Sequence, residues 1–227
     1  MAKKGNSRHI KSLASPKYMA VHKKEHVYVA KPLPGRHSLE RCMPLSLAVK
    51  KIGIAKTGME IRKMIKMKGV FVNGIARSST AYPVGLGDMV SIPKSGETYS
   101  IGINERGQAT IEKMEKSVNE RIGKIVQKYK APGNEIMIRL HDGTIAKSDN
   151  GVSVNDSIVL DGANKVKRVL KLGEGSRCLV IDGVHSGRFG IVKKVIQGNE
   201  VSKASVVVEG SDGAAFDTLL LNIMVVE

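Results

Sequence analysis

The chain has 227 residues and a mass of 24.5 kDa, enough for one large domain or for two to three small ones. Its net charge of +16 and pI near 9.9 indicate a polyanionic partner, either nucleic acid or an anionic membrane surface. No apolar run approaches the roughly 18 to 20 residues of a membrane span, and the N-terminus lacks the apolar core of a signal peptide, so we expect a cytoplasmic protein without a membrane partner.

The positive charge is concentrated in the first two thirds of the chain. Residues 1–42 hold ten Lys and Arg against two acids, a net +8, and residues 43–105 hold nine against four, a net +5. Residues 106–172 hold thirteen against eight, again +5, whereas residues 173–227 hold five against seven, a net −2. We therefore expect a polyanion to meet the N-terminal two thirds.

Residues 1–42 form a basic arm with weak apolar periodicity, interrupted by three prolines and Gly35. We expect an extended segment that is ordered mainly by its ligand, in which cations meet phosphates while Tyr and His stack on unpaired bases. A solvated basic tail without a specific partner is the alternative. The candidate RNA contacts of the arm are Lys3, Lys4, Arg8, His9, Lys11, Lys17, Tyr18, Lys23, Lys24, Arg36, His37 and Arg41.

Two short helices are predicted after the arm. Thr57 and Glu60 have the spacing of a capping box, which predicts a helix start, and apolar residues from Ile61 to Ile65 supply its buried stripe. Gly69 is expected to end this helix in the left-handed conformation. A second apolar stripe, Leu45–Ile52, predicts the preceding helix.

A β hairpin follows the second helix. Val70–Val72 is rich in β-formers and leads into Asn73-Gly74, the dipeptide typical of a type I′ turn, and a further strand is predicted at Met89–Ile92. A generic αβ hairpin with solvated lysines would share this pattern. The cations of residues 43–105 that we expect to contact RNA are Lys50, Lys51, Lys56, Arg62, Lys63, Lys66 and Arg77.

The order of helix, Gly69, Val-Phe-Val-Asn-Gly and then Val84–Asp88 resembles the S4-type RNA-binding domain. The resemblance implies two helices and a small twisted sheet, a module of ribosomal proteins and of RNA-modifying enzymes. Many members begin the second helix with a Ser-Arg pair, whereas this chain has Thr57-Gly58. An arginine contact is therefore not assigned to that position.

Residues 106–172 are predicted to form one helix against a small antiparallel sheet. A capping-box spacing at Ser117 and an apolar stripe continuing to Tyr129 predict the helix. His141-Asp142 lies at a predicted hairpin corner, where Asp-Gly has a backbone role, so we do not assign a catalytic dyad there. The predicted strands are 136–140, 144–146, 157–160 and 166–170.

From Gly175 onward the pattern is almost purely β and predicts a small barrel. Gly183, Gly187 and Gly190 around Arg188 resemble the KOW motif of ribosomal and transcription factors. The loop could then approach a sugar-phosphate backbone closely, with Arg188 as an RNA contact. The alternatives are a barrel corner that touches nothing and a contact with another protein. Residues 216–226 should pack back as a helix turn or strand.

Over its full length, the chain resembles the archaeal and eukaryotic small-subunit ribosomal proteins of the S4e type. The short sequence motifs that carry the resemblance lie at residues 9–17, 32–37, 41–45, 80–83 and 140–143. The resemblance implies a non-enzymatic constituent of the small ribosomal subunit, bound to ribosomal RNA and neighbouring ribosomal proteins, with no cofactor, metal or small-molecule substrate. The expected class is α+β. Its parts are an extended basic N-terminal arm (1–42), an S4-type RNA-binding domain (43–105), a central helix-plus-antiparallel-sheet domain (106–172) and an SH3-like KOW β-barrel with a C-terminal tail (173–227).

Where the family often has a second proline, this chain has Arg36, and Tyr18 stands where a tryptophan is common. The chain lacks the C-terminal extension of many eukaryotic members, so we expect the archaeal type.

Two rival functions use the same modules. An RNA-modifying enzyme would need a catalytic motif, and none is found in the flanking segments. A KOW-type transcription factor would account for the barrel but not for the arm. Within the ribosomal hypothesis, we expect the arm to supply most of the affinity and the S4-type helices to set orientation.

Overall fold

The computed structural model describes residues 7, 9–114, 120–148, 151–162, 164–199, 202–210 and 213–226. The chain divides into two compact units. The first unit comprises Met1–Ile101 and Ile111–Lys116, and the second comprises Gly102–Thr110 and Ser117–Glu227. Within these described ranges, neither length nor hydropathy qualifies a helix to cross a membrane.

The arm folds as part of the first unit. Strand β1 (Ile10–Lys11) pairs antiparallel with β2 (Tyr28–Val29), and the side chains of Tyr18 and Met19 are buried. The prediction of an extended segment ordered by its ligand is therefore wrong for the described part of the arm, because its own apolar residues reach a core. Its 3₁₀ turns are Ser12–Ala14, Lys17–Met19 and Leu39–Arg41.

The predicted S4-type core is confirmed as two helices beside a sheet. Helices α1 (Leu45–Ile52) and α2 (Gly58–Lys66) occupy the predicted positions, and each buries its apolar stripe. A five-stranded sheet has the order β5-β4-β7-β8-β9, while β3 pairs with β6. The strands are β3 (Cys42–Pro44), β4 (Phe71–Val72), β5 (Ile75–Ala76), β6 (Pro83–Gly85), β7 (Met89–Ile92), β8 (Glu97–Ile103) and β9 (Ala109–Met114).

Two turns of this core depend on left-handed backbone. Asn73 and Gly74 have φ of 51° and 76°, as the predicted type I′ turn requires. The predicted role of Gly69 is wrong, since Lys68 adopts the left-handed conformation with φ 55°. Gly69 instead lies against the helix, where a Cβ would stand 3.1 Å from the carbonyl oxygen of Met64.

The central part of the second unit is a five-stranded antiparallel sheet. Its order is β12-β11-β10-β13-β14, and Ile125, Ile138 and Ile158 lie in its core. The strands are β10 (Arg121–Lys130), β11 (Ile136–Leu140), β12 (Ile145–Lys147), β13 (Ser157–Leu160) and β14 (Val166–Leu170).

The predicted helix of this region is wrong, because residues 121–130 form strand β10. Apolar residues at i and i+4 satisfied the helical period, but Gly123 costs a helix about 1 kcal/mol. The β-branched residues Ile122, Ile125 and Val126 also favour a strand. Residues 117–119 of the proposed capping box lie outside the described residues.

The C-terminal sheet is antiparallel throughout. Its order is β18-β17-β16-β15-β19, so the last strand lies beside the first. The tail forms strand, 3₁₀ turn (Leu220–Asn222) and strand, as predicted. The strands are β15 (Arg177–Val180), β16 (Phe189–Ile196), β17 (Ser205–Gly210), β18 (Ala215–Leu219) and β19 (Ile223–Val225).

A buried lysine joins the two sheets of the second unit. Lys124 of β10 is only 3% exposed. Its Nζ donates hydrogen bonds to the carbonyl oxygens of Leu220 at 2.7 Å and Leu221 at 3.0 Å. Because a buried ammonium must be hydrogen-bonded, this contact fixes the tail against the central sheet.

Candidate nucleic-acid interface

The two helices of the first unit carry the densest group of exposed cations in the predicted RNA-binding region. The segment 45–68 contains six lysines and one arginine against a single acid, Glu60. All seven cations are exposed. We call them the α1–α2 surface: Lys50, Lys51, Lys56, Arg62, Lys63, Lys66 and Lys68.

The single acid of this segment faces the backbone. Glu60 N donates to Thr57 Oγ1 at 3.3 Å, and Glu60 Oε2 accepts from the backbone N–H groups of Lys56 and Thr57, each at 3.2 Å. This is the predicted capping box, which satisfies donors that the helix start leaves free. Across the part of the chain that the structure describes, no ion pair engages the α1–α2 surface. Its positive charge is therefore uncompensated.

The helix periodicity of α2 determines which cations share a face. Ile61 and Ile65 point into the core, so Arg62 and Lys66, four residues apart, lie together on the solvent side. Cations in the last turn interact favourably with the negative end of the helix dipole, which offsets part of their mutual repulsion. The arrangement leaves guanidinium and ammonium groups available for phosphates.

Arg77 is partly committed to the fold. Its Cζ lies 4.3 Å from the ring centroid of Tyr82, a cation–π contact, and the side chain is half-buried. Its buried Nε has no hydrogen-bond partner among the described residues. Arg77 thus has less freedom to reach RNA than the helical cations.

The arm offers fewer available cations than its composition indicated. Lys23 Nζ donates to Ser12 O at 2.9 Å and to Ser15 O and Oγ, both at 2.8 Å, so all three of its donors are used. Arg36 and Arg41 also contact other groups of the protein. The exposed candidates that remain in the described arm are His9, Lys11, Lys17 and Lys24, while Lys3, Lys4 and Arg8 lie outside the described residues.

Two side chains of the arm that the sequence assigns to RNA are buried in the first unit, and their RNA contact stays a prediction. Tyr18 is 5% and His37 7% exposed. His37 Nε2 lies 2.7 Å from Asp88 Oδ2, and Asp88 also accepts hydrogen bonds from Asn73 Nδ2 at 2.6 Å and from Gly85 N at 3.0 Å. A Cβ at Gly85 would stand 2.5 Å from His37 Nδ1, so only glycine leaves room for the imidazole.

This buried network controls two ionisations. Burial alone would raise the pKa of Asp88, but the hydrogen bond and charge of His37, with the Gly85 and Asn73 donors, lower it to about 2. Burial, together with the nearby charge of Asp88, raises the pKa of the Tyr18 hydroxyl. His37 and Asp88 therefore contribute to the fold of the first unit.

The glycine loop of the second unit makes its close approach to protein. Gly187 has φ +80°, and a Cβ there would stand 2.3 Å from the carbonyl carbon of Asn104 and 2.6 Å from Glu105 N. A Cβ at Gly190 would stand 2.5 Å from Glu209 O. These glycines are explained by packing within the second unit, whereas Arg188 is exposed and its RNA contact stays a prediction.

Comparison with known proteins covers almost the whole chain. Residues 4–40 match the RS4NT (NUC023) domain, residues 43–90 the S4 domain and residues 95–166 the ribosomal family S4e. The small ribosomal subunit protein eS4 of Nanoarchaeum equitans is 34% identical, with 84% of this chain and 83% of that protein covered. The chain belongs to the S4e family of ribosomal proteins. The predicted family is thereby confirmed.

Other S4e relatives extend the match. The eS4 proteins of Staphylothermus marinus and Methanothermobacter thermautotrophicus are 33% and 32% identical, covering 97% and 96% of this chain and 92% of each relative. The crystal structure of the 30S ribosomal protein S4e from Thermoplasma acidophilum has a TM-score of 0.67 at 22% identity, covering 82% of this chain and 94% of that one. This chain and the Thermoplasma acidophilum protein therefore share a fold.

Sequence reasoning missed the structural roles of several polar residues in this S4e-family chain. The ion pair of Arg121 Nη1 with Asp142 Oδ2 at 2.7 Å is buried, and Asp142 also accepts from Thr144 N at 2.8 Å. The Asp142-Gly143 turn in the sequence could have predicted the hydrogen bond from Thr144 N to Asp142. The partner Arg121 lies 21 residues away, beyond any local pattern.

Proposed function

We propose that this chain is a structural, non-enzymatic constituent of the small ribosomal subunit and binds its ribosomal RNA chiefly through the α1–α2 surface. The observation that carries the proposal is the uncompensated charge of that surface in a chain of the S4e family. Seven exposed cations accompany one acid, and that acid caps the helix start. Exposed cations bind a phosphate backbone by releasing its condensed counterions.

The arm has a smaller part in binding than its composition predicts. In its described portion, Lys23 directs all three ammonium donors to Ser12 and Ser15, and Lys31 donates one hydrogen bond to the backbone of Ser7, so both ammonium groups are partly or fully engaged within the arm. Lys11, Lys17 and Lys24 support the α1–α2 surface, together with Lys3, Lys4 and Arg8 of the N-terminus. We assign the main affinity to the helices and an accessory role to the arm.

The C-terminal sheet is proposed to be an SH3-like barrel of the KOW type. The position of β19 beside β15 supports this assignment, because it returns the end of the chain to the first strand of the sheet. We retain the division at residues 42, 105 and 172 as a proposal for the domain boundaries. The net charge of −2 in residues 173–227 suits a neighbouring ribosomal protein better than RNA.

Sedimentation tests the proposal against the rival functions. A tagged form of the full chain should sediment with small subunits in low salt and should be released as the salt concentration rises. An RNA-modifying enzyme or a transcription factor would be recovered largely in the unbound fraction. Recovery of the chain free of small subunits in low salt would overturn the ribosomal assignment and the cytoplasmic, ribosome-bound location that follows from it.

A further inference from the structure

The second unit contains a basic groove that none of the predicted RNA contacts includes. It has a volume of about 800 Å³ and is lined by both end strands of the central sheet, β12 and β14. The sheet therefore curves until its two ends face one space. We call this space the sheet-end groove.

Among the described residues, the walls of the sheet-end groove carry five cations and no acid. Two of the cations are paired with acids outside the walls: Lys147 Nζ lies 2.7 Å from Glu135 Oε2, and Lys167 Nζ lies 2.7 Å from Glu120 Oε1. Arg168 has a contact of its own. Lys165 and Lys171 are exposed, and within the described ranges no acid pairs with either of them. The groove thus keeps a positive charge after its internal pairs are counted.

The floor of the groove is apolar and its rims have unpaired backbone. Ile145 is 50% exposed, and Val166 and Val169 extend the apolar surface. Among the residues that the structure describes, strands β12 and β14 each pair with a neighbour on one side only, so N–H groups along their outer edges face the groove side or solvent. Apolar contact, cations and backbone donors together match a ribose-phosphate chain with an unpaired base.

The spacing of the two unpaired lysines favours a chain over a single anion. Lys165 and Lys171 flank strand β14 on either side, so their Cα atoms are at most about 20 Å apart. At such a spacing the two side chains suit two successive anionic groups better than one. A polyanion that follows strand β14 provides such groups.

We propose that the sheet-end groove binds the phosphodiester backbone of an unpaired RNA segment, with Lys165 and Lys171 as its phosphate contacts. This inference rests on the proposed function and extends it to a second surface, separate from the α1–α2 surface. An extended acidic peptide, adding a strand to one of the open edges, is the competing occupant.

The test measures binding of the full chain to small-subunit ribosomal RNA over a salt series. Removing two phosphate contacts with K165Q/K171Q should reduce the affinity lost between 50 and 200 mM salt by about tenfold. The control K194Q/K203Q changes the net charge equally at exposed positions of the same unit, outside the groove. It should leave the salt dependence near that of the native chain.

A second readout needs no substitution. Acetylation of lysines in the native complex should show RNA protecting Lys165 and Lys171 but not Lys194 and Lys203. An unchanged salt dependence in K165Q/K171Q, or equal acetylation of all four lysines, overturns the groove proposal. The proposal is also overturned if polyglutamate protects Lys165 and Lys171 from acetylation and RNA does not. That result would assign the groove to an acidic protein segment.

Failure of this inference is distinguishable from failure of the proposed function. If the groove does not bind RNA, the native chain still binds through the α1–α2 surface. Removing two cations of that surface, in the variant R62A/K66A, then weakens the binding. If the proposed function fails, native chain does not bind the RNA at all.

Discussion

His37 and Asp88 form a buried hydrogen-bonded pair, 2.7 Å between Nε2 and Oδ2, that joins the arm to the S4-type core across 51 residues of sequence. The arm is consequently part of the fold of the first unit. Deleting residues 1–42 would remove Met19 and Tyr18 from that core, so a loss of RNA binding could not be told from a loss of folding. Point substitutions avoid this problem.

Replacing His37 should destabilise the first unit. His37→Ala leaves the buried Asp88 carboxylate without the hydrogen bond of the imidazole, a loss of about 3 kcal/mol in the free energy of unfolding. His22, an exposed histidine of the same arm, provides the control, and His22→Ala should change stability by less than about 0.5 kcal/mol. Denaturant unfolding measures both. Equal stability of the two variants would contradict a structural role for His37.

The same pair predicts how stability depends on acid. The folded-state pKa of Asp88, about 2, lies below its usual value of 3.8. The contribution of this carboxylate is therefore fully present above about pH 4 and is lost as the pH falls through about 2. It amounts to on the order of 2 kcal/mol. Unfolding followed between pH 5 and 2 should show this loss in the native chain, and Asp88→Asn should lack that part of it.

The capping box of α2 should contribute measurably to stability. Thr57→Ala removes the acceptor for Glu60 N and should cost about 1 kcal/mol, within a range of about 0.5 to 2. Thr57→Ser keeps the hydroxyl and should keep most of the stability. Thermal unfolding of the three proteins distinguishes the cap from other effects of the substitution; a Ser variant as unstable as the Ala variant would argue against the cap.

Substitutions at Gly187 and Gly175 distinguish the cost of backbone strain from the cost of close packing. Both have left-handed φ, +80° and +84°, but a Cβ at Gly175 meets no atom within 4 Å, whereas one at Gly187 meets the Asn104 backbone at 2.3 Å. Gly175→Ala should cost about 1 to 2 kcal/mol from the backbone conformation alone. Gly187→Ala should cost clearly more, because main-chain atoms must move. Similar losses would mean that the loop relaxes and that the close approach is not required.

Local signals predicted the S4-type core well. The capping box, the two apolar stripes and Asn73-Gly74 each act within a few residues, and the structure places α1, α2 and the turn where they were expected. The error at β10 has a local cause as well, since apolar residues spaced four apart can also line one face of a strand. The low helix propensity of Gly123 was a more reliable indicator than the spacing of the apolar residues.

The contacts that sequence could not predict join distant segments. Lys124 reaches the carbonyl of Leu220 across 96 residues, and its burial contradicts the usual exposure of lysine. The burial of His37 likewise depends on Asp88, which no local pattern connects to the arm. For this reason local patterns predict the arm as a ligand-ordered tail and do not predict the burial of Tyr18 and His37.

The most direct test of the central claim is the salt dependence of binding to small-subunit ribosomal RNA, measured for the native chain and for R62A/K66A. If native chain neutralises on the order of 6 to 10 phosphates, its affinity should fall about 10³- to 10⁵-fold between 50 and 200 mM salt. R62A/K66A should bind more weakly, lose about tenfold less affinity over that range and keep the native melting temperature. An unchanged salt dependence in a variant that melts at the native temperature would contradict the account and place the RNA on another surface.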